Sequence, residues 1–206
     1  MGISFLDVES FCKQLKPVTS SSYVTRNNEF HQDGLFSEII FGNLGSLERK
    51  KNFSYINLNC KVVHPSAYKL LIQLDRKIEK LISTEDTFSL DKDSRLQIDE
   101  KGVTGISAFI SMFPKIKFRG ETKEREKIIN VLEREYKRNN LFISKIPVIP
   151  PDQRPIFQDE ETKEWTVDTL NDFYVTIIRR AQSIKSAGKK GVLYDLLNYG
   201  VQKAVI

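Results

Sequence analysis

The stretch IPVIPPDQRPIFQDEETKEWTVDTLNDFY, residues 146–174, constrains the backbone more than any other part of this sequence. Pro147, Pro150 and Pro151 fall within five residues. Each locks φ and restrains the residue before it, so the chain enters as a stiff, extended arm. Arg154 follows, flanked closely by Asp152 and Pro155. A guanidinium on a rigid turn matches phosphate bidentately; the other reading is that it pairs with Asp152 or another local acid and braces the turn. A densely charged loop, QDEETKEW at 158–165, comes next. Asp168 then supplies an N-cap for a helix with Leu170, Phe173, Tyr174, Ile177, Ala181 and Ile184 on its apolar side. That helix turns basic at Arg179, Arg180 and Lys185, which together with Arg154 are candidate phosphate contacts.

Working outward toward the N-terminus, 141–149 reads as a strand after the break at Asn139 and Asn140. A helix over about 121–138 buries Ile128, Val131, Leu132 and Tyr136 and is densely charged elsewhere. A shorter one starts at Thr104 as N-cap, aligns Ile106, Phe109, Ile110 and Phe113, and stops at Pro114. Residues 83–102 are polar and acidic, a loop with a short strand at 96–98. Pro65 opens one helix carrying Leu71, Leu74, Ile78 and Leu81. Residues 55–64, YINLNCKVVH, alternate as a half-buried strand with Ile56, Leu58, Cys60 and Val62 on one face. The first fifty residues are polar and punctuated by glycine, so they read as turns and loops around a short apolar piece, Ile39, Ile40 and Phe41. Toward the C-terminus, a basic turn at 188–191 precedes a helix with Leu193, Leu196, Leu197, Val201 and Val205 on one stripe. The sequence ends inside that apolar run, which predicts a fragment or a subunit that docks on another chain. The fold class expected is α+β, helix-rich and irregular, and not self-contained.

The 206 residues are 40% hydrophobic and 29% charged, the composition of a globular protein. No apolar run is long enough to span a bilayer, and the N-terminus lacks the basic-then-apolar order of a signal peptide. The net charge of +5 is segregated. Residues 115–145 carry 10 basic and 5 acidic side chains, 150–173 carry 2 and 7, and 174–206 carry 6 and 1. Basic blocks around an acidic connector suit a protein that meets a polyanion on some faces and repels it on others.

Two cysteines and two histidines exclude a disulfide framework and a Cys-rich zinc ribbon. His31 and His64 with Cys60 are the candidates for a metal site, but Cys60 and His64 are four apart on a strand, about 13 Å by strand rise, too far to share one ion without a bend. No Walker loop, G-x-G-x-x-G, H-E-x-x-H or G-x-S-x-G is present. Asp152 followed by Glu161 and Lys163 matches a P-D…E-x-K pattern, in which two carboxylates hold magnesium and the lysine steadies the attacking water. Such sites set the pair on adjacent strands, whereas here the aspartate sits in a proline turn.

The ordered motifs resemble the largest (beta-prime) subunit of cellular multisubunit RNA polymerases. IPVIPPDQRP…TLNDFY…RR resembles its V-[IL]-P-P-D-L-R-P…S-D-L-N-D-L-Y…N-R-N-N-R segment. DGLFSEIIFG at 33–42 resembles its D-G-L-F…I-F-G-P, YINLNCKVVHP at 55–65 its G-H-I-E-L-A-x-P-V-x-H strand, and TGISAFI at 104–110 a G-A-E-A-I-like helix start. The resemblance runs from about residue 20 to 200. It implies a clamp core-like region at 1–114, a shortened clamp-helix region at 115–145, a rudder- and switch-like segment at 146–174, and helices leading toward the catalytic core at 175–206. Arg154 then matches the R-P arginine, Arg180 an arginine of N-R-N-N-R, and Lys185 the lysine of R-L-K. Lys163 is nearest to the template-contacting arginine of G-G-R.

The departures are specific. LERKKNF stands where the family has a four-cysteine zinc ribbon, and the magnesium-holding N-A-D-F-D-G-D loop is absent. The resemblance therefore implies no metal or cofactor bound by this chain, with magnesium on another chain of the assembled polymerase. Zinc-less, split large subunits look most like those of giant bacteriophages. The implied partners are the other polymerase subunits, template DNA, the RNA–DNA hybrid and a promoter-specificity factor. The implied place is the cytoplasm of an infected bacterial host, or the virion.

Overall fold

A computed structural model describes residues 3–188 and 191–206. In chain order they form α1 (Val8–Cys12), α2 (Glu38–Phe41), α3 (Leu47–Lys51), β1 (Ser54–Val63), α4 (Pro65–Leu74), α5 (Lys77–Ile82), β2 (Phe88–Leu90) and β3 (Leu96–Ile98). There follow α6 (Ile106–Met112), α7 (Lys123–Lys137), β4 (Phe142–Val148), β5 (Ile156–Gln158), β6 (Trp165–Val167), α8 (Thr169–Ser186) and α9 (Val192–Val205). Short 3-10 turns occur at Phe113–Lys115 and Pro151–Gln153. The fold is mixed α+β. Its described sheets are two-stranded, β1 with β4, β2 antiparallel to β3 and β5 antiparallel to β6. Among the described residues no helix is long and apolar enough to cross a membrane. Lys189 and Lys190 of the basic turn read at 188–191 lie outside the described residues.

The chain divides into two compact units, and both are discontinuous. One comprises Met1–Asp7, Cys60–Ser144 and Ile184–Ile206; the other comprises Val8–Asn59 and Lys145–Ser183. Their boundaries fall inside β1, β4 and α8, whereas the four regions read from the sequence are consecutive. The alternation in β1 is as expected, with Ile56, Leu58, Cys60 and Val62 buried and Asn57 and Lys61 exposed.

In the first unit, Leu71, Leu74, Ile78, Leu81, Phe88, Phe109, Ile128, Leu132 and Leu141 belong to one hydrophobic core. Pro65 does open a helix, capped by His64, whose Nδ1 accepts the Ser66 N–H at 3.1 Å. The single helix expected over Leu71–Leu81 is two helices. Asp75 takes an extended conformation, φ −151° and ψ 112°, and its carboxylate caps Lys77 N–H at 3.0 Å. Arg125 Nη2 donates to the freed Leu74 carbonyl at 2.8 Å, so the interruption leaves that group satisfied. The expected cap at Thr104 is also displaced by one residue. Thr104 Oγ1 donates to the Leu81 and Asp86 carbonyls, and Gly105, at φ 91°, precedes α6.

The apolar stripe expected on α9 is only half buried. Val201 is buried, but Leu193 and Leu196 are exposed, while Asn198 and Gln202 are inside. Gln202 makes this possible by bonding both backbone groups of Val63: its Oε1 accepts the N–H at 2.7 Å and its Nε2 donates to the carbonyl at 3.0 Å. A side-chain amide thus does for the end of β1 what a neighbouring strand would do.

The second unit buries Val8, Cys12, Val18, Leu58, Val148 and Ile178 together with the aromatic cluster described below. The segment before β1, expected as loop, contains α1, α2 and α3. Ser37 and Ser46 cap α2 and α3 by accepting the Ile40 and Arg49 N–H groups.

Candidate nucleic-acid interface

The second unit contains the proline arm and the start of α8. Pro150 keeps extended dihedrals, φ −55° and ψ 146°, and Pro151–Gln153 tightens into a 3-10 turn that ends at Arg154. The arginine does not point to solvent: its relative exposure is 0%. Its Nε donates to the Ile149 carbonyl at 2.9 Å, Nη1 to Asn171 Oδ1 at 2.9 Å and Nη2 to the Leu35 carbonyl at 2.6 Å. Asn171 Nδ2 returns a bond to the Arg154 carbonyl at 3.1 Å. The guanidinium carbon lies 5.1 Å from the Phe36 and Phe41 ring centres and 5.7 Å from that of Tyr174. Burial lowers its pKa to about 10, with the neighbouring Arg49 charge acting in the same direction and Tyr174 and Tyr23 opposing.

This corrects the phosphate-contact reading of Arg154. A side chain whose donors are spent on two carbonyls and an amide, under three rings, has no face to offer DNA. It braces the turn, as the other reading had it, although through neutral acceptors and not through Asp152. Neutral acceptors suffice because the ring faces supply the attraction that a carboxylate otherwise would.

Arg154 ties the first of the resembling motifs to the segment 146–174. Leu35, Phe36 and Phe41 come from DGLFSEIIFG, Ile149 from the proline arm, and Asn171 and Tyr174 from TLNDFY. Gly34 of the first motif is required by close approach: a Cβ there would lie 2.7 Å from the Ser22 carbonyl oxygen. A second arginine, unremarked in the sequence, works beside it. Arg49 of LERKKNF is buried, donates to the Gly42 and Phe36 carbonyls at 3.1 and 3.0 Å, and lies 5.5 Å from the Phe30 ring centre. Helical spacing alone does not distinguish Arg49 from its neighbours Lys50 and Lys51.

The charged loop is a hairpin, β5–β6, with Ile156 opposite Val167 and Gln158 opposite Trp165. Its tip is organised by Asp159, whose Oδ1 accepts the Glu161 and Thr162 N–H groups and the Thr162 hydroxyl. Those bonds hold the Asp159 carboxyl below its ordinary pKa. Lys163 is exposed in this tip at φ 59°. Trp165 anchors the hairpin, donating to Asn28 Oδ1 at 2.8 Å with its ring 5.8 Å from Phe30. Glu161 and Lys163 therefore stand in a turn and Asp152 in a 3-10 turn, not on the adjacent strands that the P-D…E-x-K chemistry uses. Among the described residues no group of three or more His, Cys, Asp or Glu is placed to hold a metal ion.

Helix α8 begins as expected, with Asp168 Oδ1 accepting the Leu170 N–H at 2.9 Å. Arg179 and Lys185 are exposed and Arg180 is half-buried. At 100° per residue these three lie roughly 100–140° from one another around the axis, so they form no single stripe. Lys185 also falls past the unit boundary at Ser183. Phe173, expected on the apolar side, is 62% exposed. It lies seven residues before Arg180 and thus two turns away on the same flank, with Thr176 between them. That flank of α8 therefore combines the open Phe173 ring with Arg180, while Arg179 stands about 100° round the axis from Arg180. No protein-family model matches this sequence, and no curated protein matches it significantly.

Proposed function

We propose that this chain is a beta-prime-like N-terminal part of a split DNA-directed RNA polymerase of the giant-bacteriophage kind, serving as clamp and switch. The observation that carries this reading is the packing of DGLFSEIIFG, at 33–42, onto Arg154 of the proline-rich segment 146–174, two stretches that both resemble the family and lie more than a hundred residues apart in sequence. Both resembling segments thus meet at one buried guanidinium, as parts of one functional unit would. Arg154 is then the brace of the switch-like segment, and contact with template DNA or hybrid falls to Arg179, Arg180, Lys163 and Lys185. Such cations engage backbone phosphates without reading sequence, and the open Phe173 ring offers a face to an unpaired base. Where the family has its zinc ribbon, α3 and Arg49 tie the chain back onto Phe36 and Gly42. Nucleotide addition would need a companion chain bearing the magnesium loop.

Affinity purification of the chain from the cells that make it tests the reading. The expected companion carries N-A-D-F-D-G-D, and the assembly incorporates ribonucleotides with magnesium. A chain that purifies without such a companion, or that cleaves DNA with magnesium and loses cleavage on Asp152→Ala, overturns it. In the assembled enzyme, replacing Arg179 and Arg180 with alanine is expected to reduce the salt slope of template binding by about 2. An unchanged slope would remove both residues from the interface.

A further inference from the structure

A furrow on the second unit combines large apolar side chains with acidic ones. Two neighbouring hollows of about 500 and 280 Å³ both touch Phe30 and Leu44, and together they make the furrow. Its walls are Phe30, Trp165, Ile39 and Leu44 at one end and Pro151 and Pro155 at the other. Ile39 and Leu44 are 63% and 65% exposed, although both are large aliphatic side chains. Isolated exposed aliphatics are ordinary; two that line an aromatic and proline-walled hollow mark a contact surface.

The charged lining decides the partner. It consists of three carboxylates, Glu29, Glu38 and Asp152, against one cation, the buried Arg49, which donates to the Gly42 and Phe36 carbonyls and interacts with the Glu38 and Asp152 charges, so that acid remains in excess. The surface presented outward is thus carboxylate around an apolar floor. Such a rim repels phosphate and attracts lysine and arginine.

We infer that this furrow docks a basic, apolar segment of a partner polypeptide, with apolar side chains on Phe30, Leu44 and the prolines, and cations on Glu29 and Asp152. Aromatic and proline walls favour an extended segment, which lays alternate side chains into successive hollows. This surface is separate from the α8 flank, and the inference stands whether or not the chain belongs to a polymerase.

Trp165 is the one tryptophan of the chain and lines the furrow, so its emission reports occupancy directly. The full chain is titrated with three probes: a dodecapeptide alternating leucine and arginine, its counterpart with glutamate for arginine, and a single-stranded oligothymidylate. The arginine peptide is expected to shift Trp165 emission saturably, with affinity about ten-fold or more above that of the glutamate peptide. Glu29→Lys should weaken it by about ten-fold, and Ile39→Asp should abolish the shift. Both positions are exposed, so far-UV circular dichroism and Tm should match those of the unmodified chain. Equal binding of the two peptides, oligonucleotide binding that Ile39→Asp abolishes, or no saturable shift with the arginine peptide would each overturn the inference.

Discussion

Arg154 brings five N–H donors and a full charge into a place with no exposed surface, and three of those donors are received by Ile149, Asn171 and Leu35. Arg154→Ala would leave two buried carbonyls and an amide oxygen without partners, each worth about 1–3 kcal/mol when stranded. The expected loss is about 3 kcal/mol or more, read as a lower urea midpoint. Arg154→Lys should recover little, because one ammonium cannot span acceptors arrayed for a planar fork. If Arg154 instead served phosphate, both variants would keep the urea midpoint and lose nucleic-acid affinity. The proline setting marks this arginine in the sequence. It could not say which way the side chain pointed, because the acceptor Leu35 is 119 positions away.

At the scale of elements, the link between β1 and α4 carries a pH dependence. His64 stacks on Phe5 at 4.8 Å and is held below its ordinary pKa of 6.5 by burial, against a hydrogen bond to the Leu6 backbone and the Glu135 charge. The unfolded chain takes up a proton near 6.5 that the folded chain refuses, so stability falls as pH drops below about 6.5. Glu135 titrates lower. Burial raises its pKa, but hydrogen bonds from Arg134 and Asn140 and the charges of Arg134 and Arg138 outweigh that and hold it below 4.5. Its contribution is present above the unfolded value and is lost as pH falls through the folded one. Tm should therefore decline in two stages on acidification, and His64→Asn, which keeps a cap for Ser66, should remove the upper stage alone. The start of α6 gives a second check. A Cβ at Gly105 would sit 2.7 Å from Asp195 Cγ at a φ of 91°. Gly105→Ala should cost about 2 kcal/mol in chemical denaturation, and adding Asp195→Ala should restore only part, since the backbone strain remains.

At the scale of the whole molecule, the four chain segments before residue 184 alternate between the units: Met1–Asp7 and Cys60–Ser144 in one, Val8–Asn59 and Lys145–Ser183 in the other. Cutting the chain at a single point therefore cannot release either unit intact. A fragment of residues 1–145, which the sequence would offer as clamp core plus clamp helices, lacks the arginine that covers Leu35, Phe36 and Phe41. Limited trypsin digestion of that fragment should cleave rapidly at Arg26, Arg49 and Lys50, sites that the full chain protects for longer. Equal protection in fragment and full chain would mean that Val8–Asn59 folds without its second half.

Local chemistry determined what this sequence could declare alone. The alternation of β1, the proline that opens α4, the aspartate that caps α8 and the mixed α+β character all follow from neighbours a few residues apart, and all are found. The tertiary structure decided whatever depended on distant partners. The helix expected from Pro65 breaks at Asp75, where Arg125 satisfies Leu74; α9 turns Gln202 inward onto both backbone groups of Val63; and Phe173 stays outside though its spacing is apolar. Arg154 shows the division most plainly. Its rigid placement is written in adjacent prolines, but its burial depends on rings and carbonyls contributed from residues 35 to 174. A hydrogen bond or ring contact between distant segments leaves no periodic trace along the chain.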